Sequence, residues 1–261
     1  MRPFSLSQAL IGLTFAVLLV FFSFRFRFLT IGGAIASAVM GTVIFGLGGL
    51  PWAVPLLIFF FSSSLLSHRK NNVDIGSMFE KTATRDAWQV LANGGVGGIL
   101  VVLQFLVTSD KYYLAYLGSI AAVTADTWGT EVGMFTKGKT FLITTFQPVP
   151  QGTSGGVSIL GTALSISGAF LIALSGWWWL GEFSTGRFAQ VAVAGVVGSL
   201  LDSILGATVQ AQYKCSQCGR VTERLMHCNA RTGMFRGFRW FTNDRVNGIC
   251  AGAGALAAVL L

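Results

Sequence analysis

Carboxylates, hydroxyls and glycines gather at a few points of an otherwise apolar chain. In AAVTADTWGTEVG, residues 121–133, Asp126, Thr127, Thr130 and Glu131 arrive at the end of an apolar run. On a helix, Asp126 and Thr130 share one face and Thr127 and Glu131 the adjacent one. Two carboxylates and two hydroxyls so placed are oxygen ligands suited to Mg²⁺, which binds one or two carboxylates plus substrate phosphates. The same pattern also suits a helix end whose acids merely face water. After a polar link, PVPQGTSGGVSILGT, residues 148–162, opens the next apolar helix with Gly152, Thr153, Ser154, Gly155 and Gly156. Amides and hydroxyls at a helix N-terminus favour phosphate. No GxxxxGK[ST] occurs, so a P-loop fold is not indicated.

Three further segments carry polar residues into apolar surroundings. GSLLDSILGATVQ places Asp202 and Ser203 among leucines and isoleucine, with Gln210 further on. A carboxylate inside a membrane is costly and marks either function or a protonated packing residue. FEKTATRDAWQVLANGG supplies Lys81 and Arg85, then Asp86 where a helix start favours an acid, then Gln89 and Asn93 four apart on one helical face. Cys215-x-x-Cys218, followed by His227 and Cys228, has a spacing compatible with a small zinc site, although reduced thiols are the alternative. Beyond a basic stretch with Arg231, Arg236 and Arg239, Asn243, Asp244 and Asn247 open the last helix, Asp244 as N-cap or as a ligand.

The elements that must position these groups follow from composition. Of 261 residues, 53% are hydrophobic and 11% charged, against about 25% charged in a soluble domain. Apolar runs of about 20 residues, long enough to cross a bilayer, recur throughout. The reading is an all-α, polytopic transmembrane helix bundle in one membrane domain, residues 1–261, with a cytoplasmic Cys/His loop at about 213–246. Eight spans are expected near 6–24, 28–48, 51–67, 86–107, 111–133, 157–180, 188–212 and 247–261. All of the 18 lysines and arginines except Arg2, Lys111 and Arg187 then fall at the odd loops. The positive-inside rule puts those loops in the cytoplasm and both termini on the opposite side. The net charge of +8 is therefore an orientation signal, and nucleic acid is not an expected partner. The first apolar run lacks a small-residue cleavage site and is read as a retained helix of a bacterial or cyanobacterial protein.

ADTWGTEVG, PVPQGTSGGVSILGT, GSLLDSILGATVQ, the CxxC…HC loop and NDRVN, together and in this order, resemble the integral-membrane phytyl-phosphate kinase family over about residues 30–261. That family is distantly similar to the CTP-dependent phytol and dolichol kinases. The resemblance implies phosphoryl transfer from a nucleoside triphosphate, CTP, to a prenyl monophosphate, giving a diphosphate used in tocopherol-type lipid synthesis. The roles expected on that basis are Mg²⁺ and triphosphate held by Asp126, Glu131 and Asp202, and phosphate cradled by Thr153, Ser154, Gly155 and Gly156 with Gly152. Lys81 and Arg85 neutralise it, and Thr127, Thr130, Ser203, Asn93, Asn243, Asp244 and Asn247 complete the site. An ionised phosphate acceptor needs no histidine base, which suits a chain with only His68 and His227. A CDP-lipid cytidylyltransferase using the same Mg²⁺–CTP site, or a transporter coupled through Asp202, are the rival expectations.

Overall fold

In a computed structural model the described residues are 6–69, 84–134, 138–180 and 185–261. They form eight helices: α1 (Leu6–Arg25), α2 (Ile31–Gly48), α3 (Leu50–Arg69), α4 (Ala87–Leu106), α5 (Asp110–Gly133), α6 (Ile159–Trp177), α7 (Thr185–Thr208) and α8 (Asn243–Leu260). These occupy the places expected for the eight spans. Five of them, α2, α3, α4, α6 and α7, are long and apolar enough to cross a membrane.

The all-α expectation needs correcting, because two small antiparallel sheets interrupt the helices. β1 (Thr140–Leu142), β2 (Pro148–Val149) and β3 (Gly156–Val157) pair in the order β2-β1-β3 between α5 and α6. β4 (Gln212–Cys215), β5 (Val221–Thr222), β6 (Met226–His227) and β7 (Ala230–Arg236) pair in the order β5-β4-β7-β6 between α7 and α8. All of these strands but β7 are two to four residues long, too short to show the alternation that marks a strand in sequence, and the seven-residue β7 has no buried residue.

α5 is the centre of the bundle. It packs against α3, α4, α6, α7 and α8, and every residue from Ala115 to Ala125 is buried. Without a hydrophobic force between helices in lipid, close backbone approach must supply the attraction. Gly118 meets the Gly254 backbone of α8 where a Cβ would collide with it. At the N-terminal end of α5, Tyr113 donates to the Pro51 carbonyl at 2.9 Å and Tyr116 donates to that of Trp52. The Trp52 ring lies 5.2 Å and 4.6 Å from the two tyrosine centroids. Such aromatic pairs contribute about 0.5–1.5 kcal/mol each beyond the area they bury. One end of α5 is thus pinned by aromatic packing, which leaves the other end to carry polar groups.

Candidate functional site

At the C-terminal end of α5 a cavity of about 210 Å³ opens between the ends of α4, α6, α7 and α8 and the two sheets. Asp126 and Glu131 come from α5, Asp202 and Ser203 from α7, and Asn243 and Asn247 from the first turns of α8. Arg85, Gln89 and Asn93 enter from the start of α4, and Gly152–Gly156 from the turn between β2 and β3. Thr127 and Thr130 also line it, Thr127 with its hydroxyl donated to the Val123 carbonyl at 2.7 Å.

Arg85 is held by its backbone before its side chain does anything. Its N–H donates to the Phe28 carbonyl at 2.9 Å, and its carbonyl accepts from Thr30 N at 3.0 Å. A Cβ on Gly33 would strike that carbonyl, so glycine permits the approach. The guanidinium lies over the Phe59 ring at 5.4 Å and reaches Ser64 Oγ at 3.5 Å. Burial pushes it down to about 10 while Glu131 opposes the shift, and it remains cationic at neutral pH. Next in the chain, Asp86 caps α4 in a capping box with Gln89: Gln89 N donates to Asp86 Oδ1 at 2.9 Å and Asp86 N to Gln89 Oε1 at 3.0 Å.

The carboxylates are crowded. The Asp126 and Asp202 carboxyl groups lie within hydrogen-bonding reach of each other, and Glu131 and Glu223 act electrostatically on Asp126. Ser67 Oγ donates to Glu131 Oε1 at 2.8 Å. Four acids thus face one cavity in which Arg85 is the sole cation among the described residues. Two adjacent carboxylates cannot both stay ionised in a dehydrated site unless a proton or a cation lies between them. Asp202 Oδ2 is buried without a hydrogen-bond partner, and an orphaned buried carboxyl oxygen is costly unless something binds it. Hard carboxylate oxygens are the donors that Mg²⁺ takes, so the adjacent Asp126 and Asp202 are of the chemical type that could hold that ion.

Some sequence expectations are corrected by the geometry. The Gly152–Gly156 segment does not start α6; Ser158 is the N-cap, accepting from Gly161 N at 3.1 Å, and the glycine segment is the turn before it. Gly152 and Gly155 have φ of 82° and 78°, conformations that glycine adopts freely. Thr153 N and Gly156 N are spent inside the turn, on the carbonyls of Pro150 at 3.2 Å and Thr153 at 2.8 Å. They are therefore not the helix-end phosphate donors that were expected. Asp244 is neither N-cap, which is Thr242, nor a residue of the cavity wall. Lys81 lies outside the described residues.

Glu223 was not anticipated. It follows β5 and accepts from Ser154 Oγ at 2.9 Å and Gln210 Nε2 at 2.8 Å, tying both sheets to the end of α7. An acid in a basic, cysteine-bearing loop gives no sign in the sequence of the cavity it reaches. Ser67 and Ser165 likewise reach the wall only through helix packing.

Among known proteins, the chain is 33% identical to Protein PGR of Arabidopsis thaliana over 78% of its own length and 80% of that protein's. It is 34% identical to Uncharacterized membrane protein MJ0933 of Methanocaldococcus jannaschii, over 67% of this chain and 72% of the other. Protein VTE6, chloroplastic, of Arabidopsis thaliana is 29% identical over 59% of this chain, which spans 39% of that longer protein. No solved structure matches. The sequence pattern of the family described as Integral membrane protein DUF92 matches residues 14–255, and the chain belongs to that family.

Proposed function

We propose that the protein is a prenyl-phosphate kinase: it transfers a phosphoryl group from a nucleoside triphosphate, CTP, to phytyl or a related isoprenyl monophosphate, with Mg²⁺. The observation that carries this reading is a shared wall. A second, apolar cavity of about 90 Å³ lies among α1, α2, α3 and α4, and Arg85, Gln89 and Asn93 border both it and the acidic cavity. A ligand with an apolar chain and an anionic head fits that junction, its chain beside Leu29, Met40 and Phe59 and its phosphate at Arg85.

In the reaction, an oxygen of the acceptor monophosphate attacks the γ-phosphorus of the donor. The bond from that phosphorus to the β,γ-bridging oxygen breaks, and a lipid diphosphate and a nucleoside diphosphate leave. The acceptor is already ionised, so positioning and charge neutralisation are the protein's tasks. Asp126, Glu131, Asp202 and Glu223 would hold Mg²⁺, which neutralises charge developing on the donor phosphates when bound. Arg85 orients the acceptor phosphate through charge-assisted hydrogen bonds. Asn93, Asn243, Asn247 and Ser203 offer neutral polar contacts, while the Ser154 hydroxyl, donated to Glu223, orients that acid. The charge asymmetry of the loops supports a cytoplasmic site in a multi-pass bacterial protein. Membership of an integral membrane family and the motif resemblance to the phytyl-phosphate kinase family support this chemistry.

The test is direct. Purified protein is incubated with phytyl, geranylgeranyl and farnesyl monophosphates, Mg²⁺, and CTP labelled either at the γ-phosphate or in the cytidine. The reading expects γ-label in a lipid diphosphate. Cytidine label in the lipid with pyrophosphate release would make it a cytidylyltransferase instead, and no lipid product from folded protein would reject both.

A further inference from the structure

Apart from the acidic cavity, the described residues hold one other cluster of reactive side chains: Cys215, Cys218, His227 and Cys228, whose ligand atoms all lie within 4.8 Å of one another. His227 Nδ1 is 3.2 Å from Cys228 Sγ and 3.5 Å from Cys218 Sγ, and the three cysteines are free thiols. Around a tetrahedral zinc, with Zn–S about 2.3 Å and Zn–N about 2.0 Å, ligand atoms are about 3.5–3.8 Å apart. The cluster is already close to that spacing.

Two hairpin turns bring it together. Cys215 ends β4, and the turn to β5 closes through Gly219 N donating to the Cys215 carbonyl at 3.0 Å, with Cys218 inside it. On the other side, β6 and β7 pair His227 with Ala230, leaving Cys228 and Asn229 as a two-residue loop. Both have positive φ, 52° and 57°. Asparagine accepts that conformation readily, but cysteine does so rarely, and a strained residue at a turn calls for a compensating interaction. Here the strain turns the Cys228 thiol back against the His227 ring, although the two residues are adjacent in sequence.

Polar bonds anchor the foot of the sheet, as from Gln212 Nε2 to the Gly206 carbonyl at 3.0 Å, but beyond Tyr213 it buries little apolar surface. β5 and β6 are two residues long, and Leu225, Met226, Met234 and Phe235 are exposed rather than gathered into a core. A unit with so little apolar burial ordinarily needs a metal or a disulfide staple. We propose that Cys215, Cys218, Cys228 and His227 Nδ1 bind one structural Zn²⁺ that closes the four-stranded sheet and thereby fixes Glu223 in the acidic cavity. Four protein ligands leave no open position, which makes the site structural and not catalytic. The link to Glu223 is short: Tyr213 on the strand that ends at Cys215 pairs with Thr222, the residue before Glu223.

Metal content tests the site without reference to the proposed kinase. Full-length protein with a histidine-free tag, purified in detergent from zinc-supplemented cells, should carry about one zinc per chain by plasma mass spectrometry. C215S and C228S should fall below about 0.2 per chain, while C250A, at a buried cysteine within α8 and outside the sheet, stays near one. Because a variant can fail to fold, the unaltered chain gives the second measurement: grown on cobalt, it should show thiolate-to-cobalt charge transfer and the d–d bands of a tetrahedral site. Folded wild-type protein holding less than about 0.1 zinc or other metal per chain, or an octahedral cobalt spectrum, overturns the site. Chelation of the wild type should then expose residues 212–236 to protease while the helical circular dichroism is retained. An unchanged cleavage pattern in metal-stripped protein overturns the proposed hold on the sheet.

Discussion

The acidic cavity and the cysteine sheet meet at Glu223, yet they are assembled in opposite ways. Arg85, Asp126, Asp202 and Asn243 reach the cavity from four different helix ends, and their meeting depends on how the whole bundle packs around α5. Cys215, Cys218, His227 and Cys228 come from two neighbouring hairpins, and their meeting depends on two turns. A site of the first kind fails when helices shift; a site of the second kind fails when one ligand is lost. The two are therefore separable by mutation, apart from the residue they share.

The largest effect is expected from Asp202→Asn. Phosphoryl transfer should drop by at least about 10²-fold, while the zinc content stays unchanged. Relieving one charge of a crowded buried pair should also raise the thermal stability of Mg²⁺-free protein, by about 1–3 kcal/mol. A drop in Mg²⁺-free stability, followed in detergent by circular dichroism, would show that the Asp126–Asp202 contact is a stabilising hydrogen bond and not a repulsive pair awaiting a cation. Glu223→Gln keeps the shape and an acceptor for Ser154 and Gln210 but removes the charge. It should cost about 10-fold in turnover and raise the Mg²⁺ concentration needed for half-activity, and an unchanged Mg²⁺ requirement would detach the sheet from the cavity.

Smaller effects probe the helical side alone. Ser37 on α2 borders the apolar cavity, so Ser37→Phe should disfavour a C20 prenyl chain relative to a C15 chain by about 10-fold in kcat/KM. Equal losses on both chains would place the lipid tail elsewhere. Asp86→Ala removes the capping box of α4 and should cost about 1 kcal/mol of stability. Its neighbour Arg85 is held by Phe28 and Thr30, so the KM for the lipid phosphate should change little.

The sequence announces these regions to different degrees. Five helices, α2, α3, α4, α6 and α7, are legible because hydropathy over 18 residues or more is a strong signal, and α4 begins at Asp86 because an acid followed three residues later by glutamine is a local device. Asp126 and Asp202 stand out because an acid among apolar neighbours is costly wherever it points. The cysteine spacing is visible for the same local reason. Glu223 is not, since nothing within the chain around it distinguishes a loop acid in water from one turned into a cavity. The Gly152–Gly156 turn was misplaced by a few residues because glycine and serine mark helix starts and tight turns alike; Ser158, three residues before the amide it caps, was the better signal.

A helix walled in by α3, α4, α6, α7 and α8 need not be greasy enough to dissolve in lipid by itself. α5 carries Asp110, Lys111, Asp126 and Glu131 and is not among the five helices whose hydropathy suits a membrane crossing. During synthesis it emerges before α6, α7 and α8, three of the helices that enclose it. Each acid near the middle of a nascent segment opposes partition from the translocon by up to about 3 kcal/mol. Biogenesis then has to be cooperative: chains truncated after residue 133 should leave α5 accessible to water-soluble thiol reagents through an introduced cysteine at Ala122, and chains extended through α8 should protect it.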